Sequence, residues 1–155
     1  MSQRIDSLQP GPDLREGNNE YWQTLLERIP YARHLGLQAQ QDSSGVWVHL
    51  PYQKSLIGNF MLPALHGGVL GALIEITARI AAHGKGAQAS YPRILDSNIN
   101  YLRSAQARST FASAEVVRQG RRTSLVQVNC WQRERSVLIA SGRVQLLLAT
   151  TAGNQ

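Results

Sequence analysis

The amino-acid sequence predicts an α+β fold in which one antiparallel sheet of five or six strands wraps around a single long helix. The run from Val69 to Ala82 is rich in small and apolar residues, which is typical of a mostly buried helix. Two alternating apolar and polar segments precede this run and four follow it, as expected for half-buried strands. With 155 residues, the chain can form one sizeable core but not comfortably two.

The first part of the chain divides into an arm and the beginning of a single domain. Residues 1–18 mix Pro, Gly, Gln, Asn and charge without periodicity, so we expect a flexible arm. The domain is predicted to cover 19–150. Its first helix is predicted over 19–29, with Asn19 as a cap, one apolar stripe, and Pro30 as its end.

The remaining elements follow from periodicity and turn residues. Residues 35–41 and 46–50 alternate around a Ser- and Gly-containing turn, which predicts a β-hairpin. A loop rich in Pro, Gly and Asn is predicted over 51–65, and the long helix from His66 to about His83. Four strands complete the chain, at about 93–103, 109–119, 122–133 and 136–149.

Composition restricts the classes of function. The net charge of +6 and the pI near 10.1 favour an anionic partner, and most basic residues are arginines, which suit discrete phosphates. No nucleic-acid-binding motif occurs, and the basic residues are not interleaved with aromatic ones. The apolar runs are too short to cross a membrane, and the first six residues lack the basic-then-apolar pattern of a signal peptide, so we expect neither feature. We therefore expect neither nucleic-acid nor membrane partners. Cys130 is the only cysteine, so no internal disulfide can form, and we expect a core thiol in a cytoplasmic protein.

The most informative motif is His66-Gly67-Gly68, which is followed nine residues after the histidine by Glu75. Adjacent glycines at a helix start expose backbone N–H groups at the positive end of the helix dipole. Such donors can hold an oxyanion or polarise a carbonyl. A carboxylate inside a largely apolar helix is costly to bury, so the combination indicates a catalytic site.

Each of these residues also has a structural interpretation. Glu75 could form an i,i+4 ion pair with Arg79, and His66 could be a hydrogen-bonded residue of the helix start. The glycines could serve close packing alone. The four histidines and Cys130 show no metal-ligand spacing, so we expect neither a metal nor another cofactor.

The motif resembles that of the hotdog-fold acyl-CoA thioesterases of the phenylacetic-acid-degradation (PaaI-like) type. Their signature is His-Gly-Gly followed by a helical Asp or Glu at the same separation. Residues 98–103 are similar to the central strand of that family, and 116–123 are similar to its hairpin. The likeness covers about residues 22–149, and the order of elements is that of the hotdog fold.

The resemblance implies an acyl-CoA substrate and a homodimer or dimer of dimers, with clefts between subunits. It implies that Glu75 is a base or nucleophile and that the Gly67 and Gly68 region supplies oxyanion donors, while His66 orients the substrate or shapes the loop. The substrate-binding position six residues before the histidine falls on Phe60, beside Asn59. Possible contacts for the phosphates of coenzyme A are Arg103, Arg121 and Arg122, although a solvated turn also explains the last two.

The leading hypothesis is hydrolysis of an acyl-CoA thioester to a free acid and coenzyme A. Phe60, Pro63 and Ile94 replace the Asn or Gln, the Gly and the hydroxyl residue that the family usually has at these positions. These departures motivate an alternative hypothesis, a non-catalytic protein that binds acyl-CoA or acyl carriers on the same scaffold.

Overall fold

The computed structural model describes residues 19–85 and 91–148, so the predicted arm at 1–18 lies outside the described residues. Within these ranges the helices are α1 (Asn19–Glu27), α2 (Pro30–Leu35) and α3 (Gly67–Lys85). A short 3-10 helix (Lys54–Leu56) precedes a two-stranded ribbon of β3 (Ile57–Asn59) and β4 (Ala64–Leu65). The main sheet contains β1 (Gln38–Asp42), β2 (Gly45–Leu50), β5 (Arg93–Tyr101), β6 (Thr110–Gln119), β7 (Thr123–Trp131) and β8 (Leu138–Leu147).

The main sheet is antiparallel throughout, and its strands lie in the order β1-β2-β6-β7-β8-β5. This confirms the predicted antiparallel sheet with one long helix and fixes the number of its strands in the described residues at six. The four strands after the helix begin and end within two residues of their predicted limits. Among the described residues, β5 pairs only with β8, so the other edge of β5 is open.

Helix α3 packs against the inner face of the sheet because alternate strand residues on that face are apolar. Val48, Val126 and Val144 are wholly buried there, as is Ile74 of the helix. The closest approach occurs at Gly142 of β8, where an added Cβ would lie 2.7 Å from the Cγ2 atom of Ile74. The missing side chain therefore lets the helix and the sheet come into contact.

Cys130 lies in this core, which confirms the sequence prediction. Its side chain is fully buried, and burial raises the pKa of its thiol to about 12. A thiol that stays protonated is a poor nucleophile. Cys130 is therefore a packing residue.

Two predictions for the first third of the chain are wrong in detail. Pro30 does not end the helical region but begins α2, where its missing N–H breaks no helix hydrogen bond. The left-handed Gly36 (φ 68°) ends α2, so the first strand begins at Gln38 and not at Leu35. The Asn19 side chain accepts a hydrogen bond from the backbone N–H of a β1 residue and so ties α1 to the sheet.

The segment predicted as a loop and the end of the long helix also differ from expectation. Residues 51–65 contain the 3-10 helix and the β3–β4 ribbon described above. Helix α3 continues to Lys85, two residues beyond its predicted end, while Gly86 lies outside the described residues. No helix within the described ranges is long and apolar enough to cross a membrane.

Candidate active site

Glu75 lies in the third turn of α3 and is partly buried against β5. Its Oε1 atom accepts a hydrogen bond of 2.8 Å from the hydroxyl of Ser97, near the middle of that strand. This bond holds one carboxylate oxygen and orients the side chain. The second oxygen receives no hydrogen bond from the described residues.

Arg79 does not neutralise this carboxylate. Among the described residues no ion pair joins it to Glu75, although the two residues are one helical turn apart. Instead, the Nε atom of Arg79 donates a hydrogen bond of 3.0 Å to the carbonyl of Pro92. Its guanidinium carbon lies 5.4 Å from the centroid of the Tyr91 ring. The structure therefore rejects the i,i+4 pairing as the reason for the acid in this helix.

His66 is the N-cap of α3. Its carbonyl accepts hydrogen bonds from the backbone N–H groups of Val69 (3.0 Å) and Leu70 (3.4 Å). Its ring nitrogen Nδ1 accepts a hydrogen bond of 2.9 Å from the N–H of Gly68. An acceptor at Nδ1 places the proton of the neutral ring on Nε2. The Gly68 amide is thus engaged by the cap.

Gly67 is the first residue of α3, so its N–H has no acceptor within the helix. Its carbonyl accepts a hydrogen bond of 2.8 Å from the hydroxyl of Tyr101, whose ring covers the helix start. An added Cβ at Gly67 would lie 3.5 Å from that ring. Beside these residues is an open cleft of about 370 Å³, whose lining includes Ala64, Leu70, Leu102 and Arg103.

The Gly67 amide and Glu75 are too far apart to act on one carbonyl within a single chain. They are eight residues apart on α3, which corresponds to about 12 Å along the helix axis. Their partners on β5, Tyr101 and Ser97, are four residues apart, which corresponds to about 13 Å along the strand. An oxyanion donor and a base acting on one carbonyl must each lie within roughly 3–3.5 Å of it.

Comparison with known proteins identifies the family. A profile of the thioesterase superfamily matches residues 62–139, which is half of the chain and includes α3 and strands β4 to β7. The chain belongs to the thioesterase superfamily. Its architecture is the predicted hotdog fold, and membership of the superfamily supports hydrolysis of an acyl thioester or ester.

Relatives of this thioesterase-superfamily chain span nearly its whole length. It is 27% identical over 146 residues to the protein named "putative esterase Rv1847" from Mycobacterium tuberculosis, covering 90% of this chain and 95% of that one. The thioesterase HI1161 from Haemophilus influenzae superposes with a TM-score of 0.76 at 22% identity, over 89% of this chain and 94% of that one. The PaaI protein of the E. coli phenylacetic acid degradation operon superposes with a TM-score of 0.71 at 20% identity, over 85% and 91%. The last two likenesses show the shared fold.

Asn59 and Phe60, the two residues predicted at the substrate-binding position of this superfamily member, lie at the end of β3 and in the turn that follows. The Oδ1 atom of Asn59 accepts a hydrogen bond of 3.0 Å from the N–H of Met61, so its carboxamide stabilises its own turn. Phe60 is 74% exposed. Gly58 places the ribbon against the cap, since an added Cβ there would lie 3.0 Å from the Cα atom of His66.

The three predicted phosphate-binding arginines of this chain lie at opposite ends of the sheet. Arg103 follows β5, and its backbone N–H bonds to the carbonyl of Ile139 at the start of β8. Arg121 and Arg122 are exposed in the β6–β7 turn, and the carbonyl of Arg122 accepts a hydrogen bond from Leu148, beyond the other end of β8. A single chain therefore does not bring these three arginines together.

The contact of Tyr101 with the start of α3 is not predicted from the sequence motif. Ser97, Ile99 and Tyr101 alternate along β5, so they share the face directed at α3. Contacts from all three residues to Glu75, Gly71 and Gly67 agree with this spacing. The sequence does contain a signal for these contacts. Ile99 and Tyr101 are two residues apart on β5, and Gly71 and Gly67 are one turn apart on α3, so each strand residue can lie against one glycine.

Proposed function

We propose that this protein hydrolyses an acyl-CoA thioester, with Glu75 as general base or nucleophile. As a base, Glu75 takes a proton from water, and the resulting hydroxide attacks the thioester carbon. The tetrahedral oxyanion then collapses, the carbon–sulfur bond breaks, and coenzyme A leaves as a thiolate that takes up a proton. As a nucleophile, the carboxylate attacks the same carbon, the carbon–sulfur bond breaks, and coenzyme A leaves as a thiolate that takes up a proton. Water then hydrolyses the resulting acyl anhydride, which releases the free acid and restores Glu75. The single observation that carries the proposal is the un-neutralised carboxylate of Glu75, oriented by Ser97 inside the helix of a thioesterase-superfamily fold.

The backbone N–H of Gly67 is the oxyanion donor in this proposal. Gly68 belongs to the same motif, but its N–H is bonded to the His66 ring, so it supports the donor loop instead of the substrate. The ring also leaves Nε2 as a hydrogen-bond donor beside the helix start. The positive end of the helix dipole adds to the stabilisation of negative charge there.

The active site in this proposal is composite, with Glu75 from one protomer and the Gly67 amide from its partner. The separation of these groups within one chain requires a second chain, and the open edge of β5 offers a surface for it. Antiparallel pairing of two β5 strands about an axis near Ile99 places Ser97 of one strand opposite Tyr101 of the other. Since Ser97 contacts Glu75 and Tyr101 contacts Gly67, this homodimer brings together acid and donor.

The same pairing gathers the proposed coenzyme A phosphate contacts. Arg103 follows one end of β5, while Arg121 and Arg122 lie near the other end of the sheet. In an antiparallel dimer the Arg103 end of one sheet lies beside the opposite end of the other. We therefore assign the phosphates to Arg103 of one protomer and to the β6–β7 turn of its partner.

The test is thiol release from a panel of aryl, short-chain and long-chain acyl-CoA thioesters. We expect Glu75→Gln to lower kcat/KM by about a hundredfold or more, as loss of a general base does. Glu115→Gln, which removes an exposed carboxylate from β6, is the matched control and should retain activity. Equal thiol release by the wild type and Glu75→Gln across the panel would show that Glu75 is not the catalytic acid.

A non-catalytic acyl-CoA-binding protein is the second candidate. It is favoured by Phe60 at the usual amide position and by the engagement of Asn59 in its own turn. Calorimetry showing tight acyl-CoA binding by the wild type, together with no thiol release, would establish this function. Turnover that is lost in Glu75→Gln would exclude it.

A further inference from the structure

Two arginines flank one tyrosine close to Glu75, in a cluster to which the proposed reaction assigns no role. The guanidinium carbons of Arg28 and Arg79 each lie 5.4 Å from the centroid of the Tyr91 ring. The two carbons are therefore no more than twice that distance apart. Burial raises the pKa of the Tyr91 hydroxyl above its usual value, while both guanidinium charges act in the opposite direction.

The cluster carries two positive charges that no acid among the described residues neutralises. Within residues 19–85 and 91–148, no carboxylate lies within 4.0 Å of either guanidinium. Arg79 donates its Nε–H to the carbonyl of Pro92, and its two terminal nitrogens make no hydrogen bond to the residues that the structure describes. The Tyr91 hydroxyl donates to the carbonyl of Leu25, which fixes the ring between α1 and the start of β5.

A ring face attracts a single cation, but it does not cancel the repulsion between two. Two arginine forks with free donors form a site suited to an oxyanion, because carboxylate and phosphate groups accept paired N–H bonds. The position is informative as well. Arg79 follows Glu75 by one helical turn, about 6 Å along the axis, so the cluster lies close to the acid of the proposed reaction.

We propose that Arg28 and Arg79 form an oxyanion-binding subsite on Tyr91 that holds an anionic group of the thioester substrate. This inference rests on the proposed function, because it places the substrate at Glu75. Two parts of an acyl-CoA carry such a group. One is a terminal carboxylate on the acyl chain, and the other is a phosphate of coenzyme A.

Three non-hydrolysable thioethers separate these sources. S-pentyl-CoA carries the phosphates alone, S-(4-carboxybutyl)-CoA adds a terminal carboxylate, and S-pentyl-pantetheine carries neither. Their dissociation constants are measured by calorimetry for the wild type, Arg28→Gln and Arg79→Gln. Arg33→Gln is the matched control, since it removes an exposed guanidinium from the neighbouring helix α2.

If a carboxylate binds at the cluster, both variants should lose about tenfold in affinity for S-(4-carboxybutyl)-CoA and keep their affinity for S-pentyl-CoA. If a phosphate binds there, both variants should lose affinity for the two CoA thioethers and keep it for S-pentyl-pantetheine. Either result supports the subsite. Unchanged affinities, an equal loss for all three probes, or no binding of any probe to the wild type would overturn it.

The two proposals can fail separately in these experiments. Binding of thioethers requires no turnover. An absence of thiol release would therefore contradict the thioesterase assignment, while thioether binding at the subsite could still be measured. Arg28 is exposed, so Arg28→Gln is expected to fold even if the loss of the Arg79–Pro92 hydrogen bond disturbs the other variant. Thermal melts of all variants check this point.

Discussion

At the scale of single residues, the candidate acid could be identified from the sequence, but its partner could not. The spacing from His66 singles out Glu75, whereas the i,i+4 rule points equally to Arg79 as its neutralising partner. The structure decides against this pair because Pro92 and Tyr91, which are distant in sequence, take the arginine side chain. Tertiary contacts of this kind are invisible to a helical pattern.

Ser97 is a positioning residue in this site, and its removal tests that role. Ser97→Ala should lower kcat by roughly ten- to a hundredfold with little change in KM, because a hydrogen bond to a charged acceptor contributes about 1.5–3 kcal/mol. Ser97→Thr keeps the hydroxyl and should restore most of kcat. Steady-state kinetics on one acyl-CoA substrate gives both parameters.

The control for this prediction is Ser113→Ala, since Ser113 is a partly buried serine of β6 that makes no contact with Glu75. A kcat for Ser97→Ala equal to that of the control would contradict the positioning role. So would a threonine variant as impaired as the alanine variant.

At the scale of elements, the boundaries of the last four strands could be predicted within two residues because apolar and polar residues alternate along them. The exceptions have physical reasons. The sequence predicts Pro30 only as the end of the first helix, although proline is equally suited to the first turn of a new helix, which is its place in α2. The capping role of His66 also depends on a ring nitrogen facing the Gly68 amide, a geometry that residue types do not specify.

The start of α3 offers a direct test of the oxyanion donor. Gly67→Pro removes the proposed N–H donor, and proline is well tolerated at the first helical position. We expect kcat/KM to fall by about a hundred- to a thousandfold, as found when one oxyanion donor is lost. Gly67→Ala keeps the N–H, and its Cβ would make an ordinary contact of 3.5 Å with Tyr101, so it should stay active.

Circular dichroism and thermal melts should show that both Gly67 variants fold, because an added Cβ meets only an ordinary contact and proline suits the first position of a helix. The comparison therefore isolates the amide hydrogen from the presence of a side chain. A proline variant as active as the alanine variant would exclude Gly67 as the donor.

At the scale of the whole molecule, the fold could be predicted from the pattern of residues, whereas the assembly of the site is implied by the family resemblance and stays a prediction. The order of elements, the long small-residue helix and four alternating strands are properties of one chain, and all three are found in the structure. The separation of Gly67 and Glu75 is also a property of one chain. A site shared by two chains, which the family resemblance implies, is our proposal from this separation and from the positions of Ser97 and Tyr101 along the open edge of β5.

A shared site predicts that two inactive variants can restore each other. In a mixed dimer of Glu75→Gln and Gly67→Pro protomers, one site contains both substitutions and the other contains neither. Random pairing makes half of the dimers mixed, so total activity should recover to about a quarter of the wild-type value. Differently tagged protomers are unfolded together, refolded, and assayed for thiol release, with each variant refolded alone as the control. If mixed dimers isolated through both tags are no more active than the single variants, each site lies within one chain, and the pairing of β5 edges about Ile99 is wrong.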